Sequence, residues 1–497
     1  MSDFFDEDSR LPAGLVPTPT REFNQAFDLR QLRRQSVRPA LKLVRAADAD
    51  EAPAGAAAAP RPVLFGSRAF IYKQDPSVDE IGIRKVLLRG ALHAGPRSAR
   101  IALEGMAPIA PNTMNDFIQA PGSDGFDAVH TFAVAHQALA MCQRALGAPI
   151  KWQWNGPGDT TPIAVFPHAG QTQNAFYSRT ARCLKFFFFP KPGAPAPAPT
   201  VFTCRSFDIV THEMGHAILD SLKPGWLGAS GDPESGALHE AFGDILAIFL
   251  TLSQLDQVEA LIVQTKGDLH NKTFLSDVAE EFGLALGRDN GLRNADNDKT
   301  MSQVSSEVHD LSQVFTGGVY DVLADIFELE RDIAREDESA TLLRVGQTVF
   351  SIILRAMLQA PDTDASFADV VREMIALCPE GEKGRAYRRS IVSQFARREV
   401  VAAEAAAAKQ NGAPALARVE HSHIVVKANG LQDRSACCGT MRLREYSEID
   451  LAFDAELAAL EKGYGGMPPA RSRQAAAATK GDVDRSASRR GRRGAAR

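Results

Sequence analysis

Two histidines bracket a glutamate in the pentapeptide His212-Glu213-Met214-Gly215-His216. On a helix, positions i and i+4 share a face, so both imidazoles can reach one ion. Neutral ring nitrogens suit Zn²⁺ at about 2.0–2.1 Å. Glu213, next to the first histidine, is positioned to take a proton from a water that the metal acidifies to a pKa of about 7. The blander alternative is a surface helix with two solvated histidines, and a third ligand decides between the two. A catalytic zinc usually takes three protein ligands and keeps one position open. The segment ESGALHEAFGDILA, residues 234–247, offers Glu234, His239 and Glu240. Glu240 and Asp244 are four apart on one helical face. Glu240 can therefore ligate while Asp244 accepts the second ring N–H of a ligand histidine and fixes its tautomer. Glu234, near the helix start, reads as a favourable first-turn charge. His239 is the weaker rival ligand, pointing about 100° away from Glu240.

These residues need two helices to carry them, and the pattern supplies both. SFDIVTHEMGHAILDSL is one; PESGALHEAFGDILAIFLTL is the other, with Pro233 in its first turn. Further helices are expected over TGGVYDVLADIFELERDIA, ATLLRVGQTVFSIILRAML, SFADVVREMIALC and an Ala-rich stretch from about Lys383 to Lys409. Before the pentapeptide the chain reads as strands. VLFGSRAFIY, KVLLRGAL, SARIALEGMAPI, PIKWQW, PIAVFP and a pair within residues 174–189 qualify, interrupted by one helix from Asp127 to Leu146 that stops at Gly147. The run Phe186–Phe189 reads as a buried strand, and PKPGAPAPAPT as an exposed loop.

The expected organisation is a disordered segment over 1–60, a β-rich lobe with one long helix over 61–205, a zinc-binding helical lobe over 206–410, an extension over 411–464 and a disordered basic tail over 465–497. The net charge of -5 does not suit a nucleic-acid binder. No uninterrupted apolar run reaches the roughly 18–20 residues that a membrane span needs. The acidic start MSDFFDEDSRLPAG is not a secretory signal, so a cytoplasmic location is expected, with export by another route left open. Six cysteines in 497 residues, without a CxxC pair, read as thiols rather than a disulfide framework.

The run HEMGHAILD…ESGALHEAFGDILA resembles the active-site helices of the thermolysin-like gluzincin zinc metallopeptidases. That family carries its third ligand in an ESGAxxEAxxD segment, which aligns Glu240 with the ligand and Asp244 with the aspartate behind it. Further segments keep the family's order. Asn174-Ala175-Phe176 resembles the edge-strand segment that binds the substrate backbone, Leu292-Arg293 the pair whose arginine binds a substrate carbonyl, and Val308-His309 the segment with the transition-state histidine. FDAVHTFAVAHQAL resembles the long helix of the N-terminal lobe. The likeness covers about residues 125–400. It implies an α+β, two-lobed metallopeptidase fold with a central HExxH helix and a mainly helical C-terminal lobe, and an endopeptidase acting on peptide or protein substrates.

Departures from the family pattern also carry expectations. The gap from His216 to Glu240 is longer than usual, and its loop has Trp226 as the nearest aromatic where the family has an oxyanion-binding tyrosine. The aspartate that the family places five residues before its histidine is Val304 here, which leaves two expectations: Glu307 substitutes for it, or His309 is less basic than the family's histidine. Asp208 matches one calcium-ligand position, so Ca²⁺ is compatible but not implied. Two alternatives remain: a silent gluzincin scaffold that binds a partner through its cleft, and an aminopeptidase, for which no GxMEN-type motif is present. His421, His423, Cys437 and Cys438 are candidate ligands in an extension that could cover the cleft. The residues leave the oligomeric state open.

Overall fold

Alternating burial builds the first hairpin. In β1 (Ser67–Tyr72) Ala69 and Ile71 turn inward. Antiparallel pairing with β2 (Ile83–Leu88), from Ser67↔Leu88 to Tyr72↔Ile83, sets Val86 and Leu88 in the same core. The computed structural model describes residues 66–75, 82–227, 233–271, 273–278, 283 and 293–402. The readings for 1–60, 411–464 and 465–497, including the ligands proposed in the extension, lie outside them, as does Leu292.

A four-stranded sheet follows, in the order β3-β4-β6-β5, from β3 (Ile101–Leu103), β4 (Ile163–Phe166), β5 (Ala175–Ser178) and β6 (Cys183–Phe186). β3, β4 and β6 run parallel, and β5 closes one end antiparallel to β6. The hairpin of β7 (Phe188–Pro190) and β8 (Thr200–Phe202) is separate. The phenylalanine run is therefore divided between two strands. The break is at Phe187, whose N–H donates to the Thr203 hydroxyl at 2.9 Å. PIKWQW forms no strand. Its hydrophobicity serves the core instead: Trp152 is buried and its indole donates to the Arg100 carbonyl at 2.7 Å.

α1 (Asp124–Leu146) begins where the Ser123 hydroxyl accepts from the Phe126 N–H and ends at Gly147, left-handed at φ 73°. The helical half comprises α2 (Phe207–Leu222), α3 (Pro233–Leu252), α4 (Leu255–Thr265), α5 (Val308–Glu330), α6 (Glu338–Gln359), α7 (Phe367–Ala376) and α8 (Gly381–Arg397). α4 was not expected. Its inward face mixes Val258 and Leu261 with Gln257, whose amide donates to the Lys73 carbonyl at 2.8 Å, and that blurs the apolar period. α8 stops at Arg397 rather than running to Lys409, because the next guanidinium, of Arg398, is drawn to Asp321 at 2.8 Å and the Lys299 carbonyl at 3.0 Å.

One core joins strands and helices, with Ile71, Leu184, Phe186, Val210, Leu246, Phe315 and Phe395 all part of it. The fold is mixed α+β, and the described residues belong to a single unit that begins at Leu64. α3 and α6 do have the length and mean hydropathy of a membrane span, although polar residues interrupt the apolar run in each. The spanning window of α3 is wholly buried within the protein, where the helix packs against α2 and α5.

Candidate metal centre

α2 and α3 bring the chemistry together because two glycines let them touch. A Cβ on Gly215 would lie 3.0 Å from the Gly243 Cα, and one on Gly243 would lie 2.7 Å from Cγ and Cε1 of His212. A glycine inside a helix costs about 0.5–1 kcal/mol relative to alanine. Here it permits the close crossing that sets Glu240 against both histidines.

His212, His216 and Glu240 each offer a donor atom, all within 4.8 Å of one another and all buried. Glu240 Oε2 lies 3.3 Å from His212 Nε2, and Glu240 Oε1 lies 3.5 Å from His216 Nε2. The two Glu240 oxygens and His212 Nε2 are buried without a hydrogen-bond partner. Buried polar atoms are nearly always satisfied. Such atoms converging on one point fit a cation, and this group can hold a metal ion. His239, the rival ligand, does not join it: its Nδ1 faces His216 Nδ1 at 2.8 Å, behind the ligand. Glu213 is buried on α2 between the two histidines.

Electrostatics follow the same geometry. Burial opposes charge on His212, but Asp244 and Glu240 outweigh it and hold the imidazole up at about 10. Burial pushes His216 well below the usual histidine range. Glu240 is held well below the carboxylate range, because His309, His216 and His212 overcome the cost of its burial. Asp244 accepts at 2.8 Å from His212 Nδ1, which leaves Nε2 directed at Glu240.

Arg293, on the short strand β10 (Arg293–Asn294) paired to β9 (Asp277–Val278), grips Asp244 with Nε and Nη2, each at 2.6 Å. Its position braces the residue behind His212, a contact that the resemblance did not anticipate. His309 Nδ1 lies 2.5 Å from Glu307 Oε1, and its Nε2 lies 3.5 Å from Glu240 Oε2. Glu307 also caps α5, with Oε2 accepting from the Asp310 N–H at 2.8 Å. One carboxylate thus starts the helix and aims the ring. Burial works against a charged His309, but Glu240 and Glu307 hold its pKa up. Val304, at the family's aspartate position, is a core residue.

Asn174 and Ala175 are placed at the end strand of the sheet, where the Ala175 N–H donates to Asn174 Oδ1 at 2.8 Å. Trp226 does not offer an oxyanion donor. Its ring is buried and its indole N–H is engaged by the Pro361 carbonyl at 2.9 Å. Glu234 does more than charge a first turn, since its Oε2 accepts from the Phe367 N–H at 2.6 Å at the start of α7. Asp208 belongs to none of the three groups that could hold a metal among the described residues. The other two groups are already neutralised. Asp127 beside His168 and Cys204 is forked by Arg205 at 2.8 and 2.9 Å, and Asp321 near His270 and Asp296 is paired with Arg398.

Sequence reasoning missed a clamp one turn beyond His216. Asp220 accepts from the Tyr177 hydroxyl at 2.6 Å and from the Arg179 guanidinium, which ties β5 to α2. Its only sequence signal was an acidic residue at the i+4 position after His216. Compared with known proteins, the chain matches no family model and no curated protein.

Proposed function

We propose that this protein is a zinc-dependent endopeptidase of the thermolysin-like, two-lobed type. The observation that carries the reading is the convergence of His212, His216 and Glu240, with His212 Nε2 and both Glu240 oxygens buried and without a hydrogen-bond partner, beside Glu213 and near His309. Two imidazoles and a carboxylate are a donor set suited to catalytic zinc. A zinc ion there supplies Lewis acidity to a carbonyl oxygen and acidifies a water.

The chain's own residues do the rest. Glu213 takes the water proton and returns it to the leaving nitrogen. His309, whose pKa Glu240 and Glu307 raise against the effect of burial, donates to the developing oxyanion. Arg293 holds Asp244, and Asp244 holds His212 in the ligating tautomer. Asn174 and Ala175 pair with an extended peptide backbone, which binds without demanding a particular side chain. Calcium is not part of this proposal.

Zinc stoichiometry together with cleavage of a generic peptide library tests it. One zinc per chain and cleavage are expected. A chain that takes up no zinc sinks the reading, and zinc without cleavage turns it into a binding scaffold. Zinc uptake should also release protons. His212 is held at about 10, so near neutral pH the metal displaces its proton and affinity rises with pH. Calorimetry in buffers of different ionisation enthalpy should read about one proton per zinc. A buffer-independent enthalpy would contradict this.

Glu307→Gln keeps an acceptor for the helix cap and removes the charge. His309 then loses its proton at lower pH, so the alkaline limb of kcat/KM moves down while zinc affinity stays the same. An unmoved alkaline limb would take Glu307 out of this role.

A further inference from the structure

We infer that His239 is a positioning residue that sets the tautomer of His216 and leaves this ligand with a neutral partner, unlike His212. The inference rests on the metal-site reading and deepens it. His216 and His239 are both buried, with ring centroids 5.0 Å apart and planes inclined by 28°. Their Nδ1 atoms are 2.8 Å apart.

Two imidazole nitrogens at that distance share one proton. Two lone pairs repel, and two N–H groups collide. His216 Nε2 faces Glu240 at 3.5 Å on the metal side, so ligation requires its lone pair there. A neutral ring then carries its only proton on Nδ1 and donates it to His239 Nδ1. His239 must in turn hold its own proton on Nε2, and that atom is buried with no partner. In the metal-free protein the reverse arrangement would let His216 Nε2 face the Glu240 carboxylate as a donor, so ligation is what selects between the two. That reverse arrangement would leave the His216 proton on Nε2, pointing at the metal position, and would block ligation.

The other histidine has no such choice. Asp244 facing His212 Nδ1 can only accept, and it is an anion. The two ligands therefore differ as donors. A carboxylate behind a histidine raises the basicity of the ring. The neutral His239 raises it less, so an ion bound here keeps more of its positive charge.

The test compares zinc dissociation constants, by chelator competition, for the full chain and for His239→Leu and His239→Asn. His239→Leu should raise the constant about 10–100-fold. Asparagine, which can still accept, should restore it to within a few-fold of the unaltered protein. Nitrogen-15 spectra of the histidine-labelled, zinc-loaded protein should show His239 protonated at Nε2 and bare at Nδ1. That measurement needs no variant and decides the matter if His239→Leu fails to fold. Unaltered affinity in His239→Leu, or a proton on His239 Nδ1 in the zinc-loaded protein, overturns the inference. An unaltered chain that takes up no zinc overturns the function proposed above instead, and so separates the two failures.

Discussion

Glu213→Gln should bind zinc as the unaltered protein does and cleave peptides slower by about 10²–10⁴-fold, the usual contribution of a positioned general base. The reasoning starts from placement. Glu213 lies on α2, next to His212 and one helical step off the face that carries both histidines. It is not one of the three grouped donors. Glutamine is nearly isosteric, so the buried side chain keeps its packing. What disappears is the capacity to take a proton and return it. Zinc content and kcat measured on the same preparation separate the two roles. Cleavage that survives intact would remove Glu213 from the chemistry, and loss of zinc would make it part of the ligand set.

Gly243→Ala should weaken zinc binding by about two orders of magnitude or more, without altering any polar group of the site. The new methyl would lie 2.7 Å from two carbons of the His212 ring and closer still to its Nδ1. Some collisions are relieved by swinging a side chain aside, but this ring is held by Asp244 at 2.8 Å, and Asp244 is held by Arg293. Movement therefore breaks the alignment of Nε2 with Glu240. Overpacking of this kind also costs about 1–3 kcal/mol of stability. A zinc titration and the Tm of the metal-free protein distinguish a broken site from a merely strained fold. Zinc affinity left unchanged would mean that the helices can part without losing the centre.

Part of this was legible from local spacing. Residues four apart on a helix share a face wherever the helix goes, so His212 with His216 and Glu240 with Asp244 could be paired from the chain alone. The stop at Gly147 was readable for the same reason, since it depends on backbone conformation at one residue. Arg293, His309 and Asn174 entered only through the family likeness, because nothing in their own neighbourhoods marks them. PIKWQW was misread and α4 was missed because apolar or mixed segments are equally consistent with strand, helix or a loop that plugs the core. The place of Trp226 was not legible, because proximity in the chain says nothing of where an indole N–H finds its acceptor.

The sequence by itself determined which side chains could bind a metal and which helices would carry them, since both follow from a period of 3.6 residues. Only the tertiary structure decided what stands behind each ligand. His239 turned from rival ligand to partner of His216, Arg293 became the brace of Asp244, Glu307 took up both the start of α5 and the aim of His309, and Asp220 tied α2 to the sheet edge. These contacts depend on how closely α2 crosses α3 and where β5 lies against α2. That distance is set by glycines and packing far apart in the chain, and no local pattern encodes it.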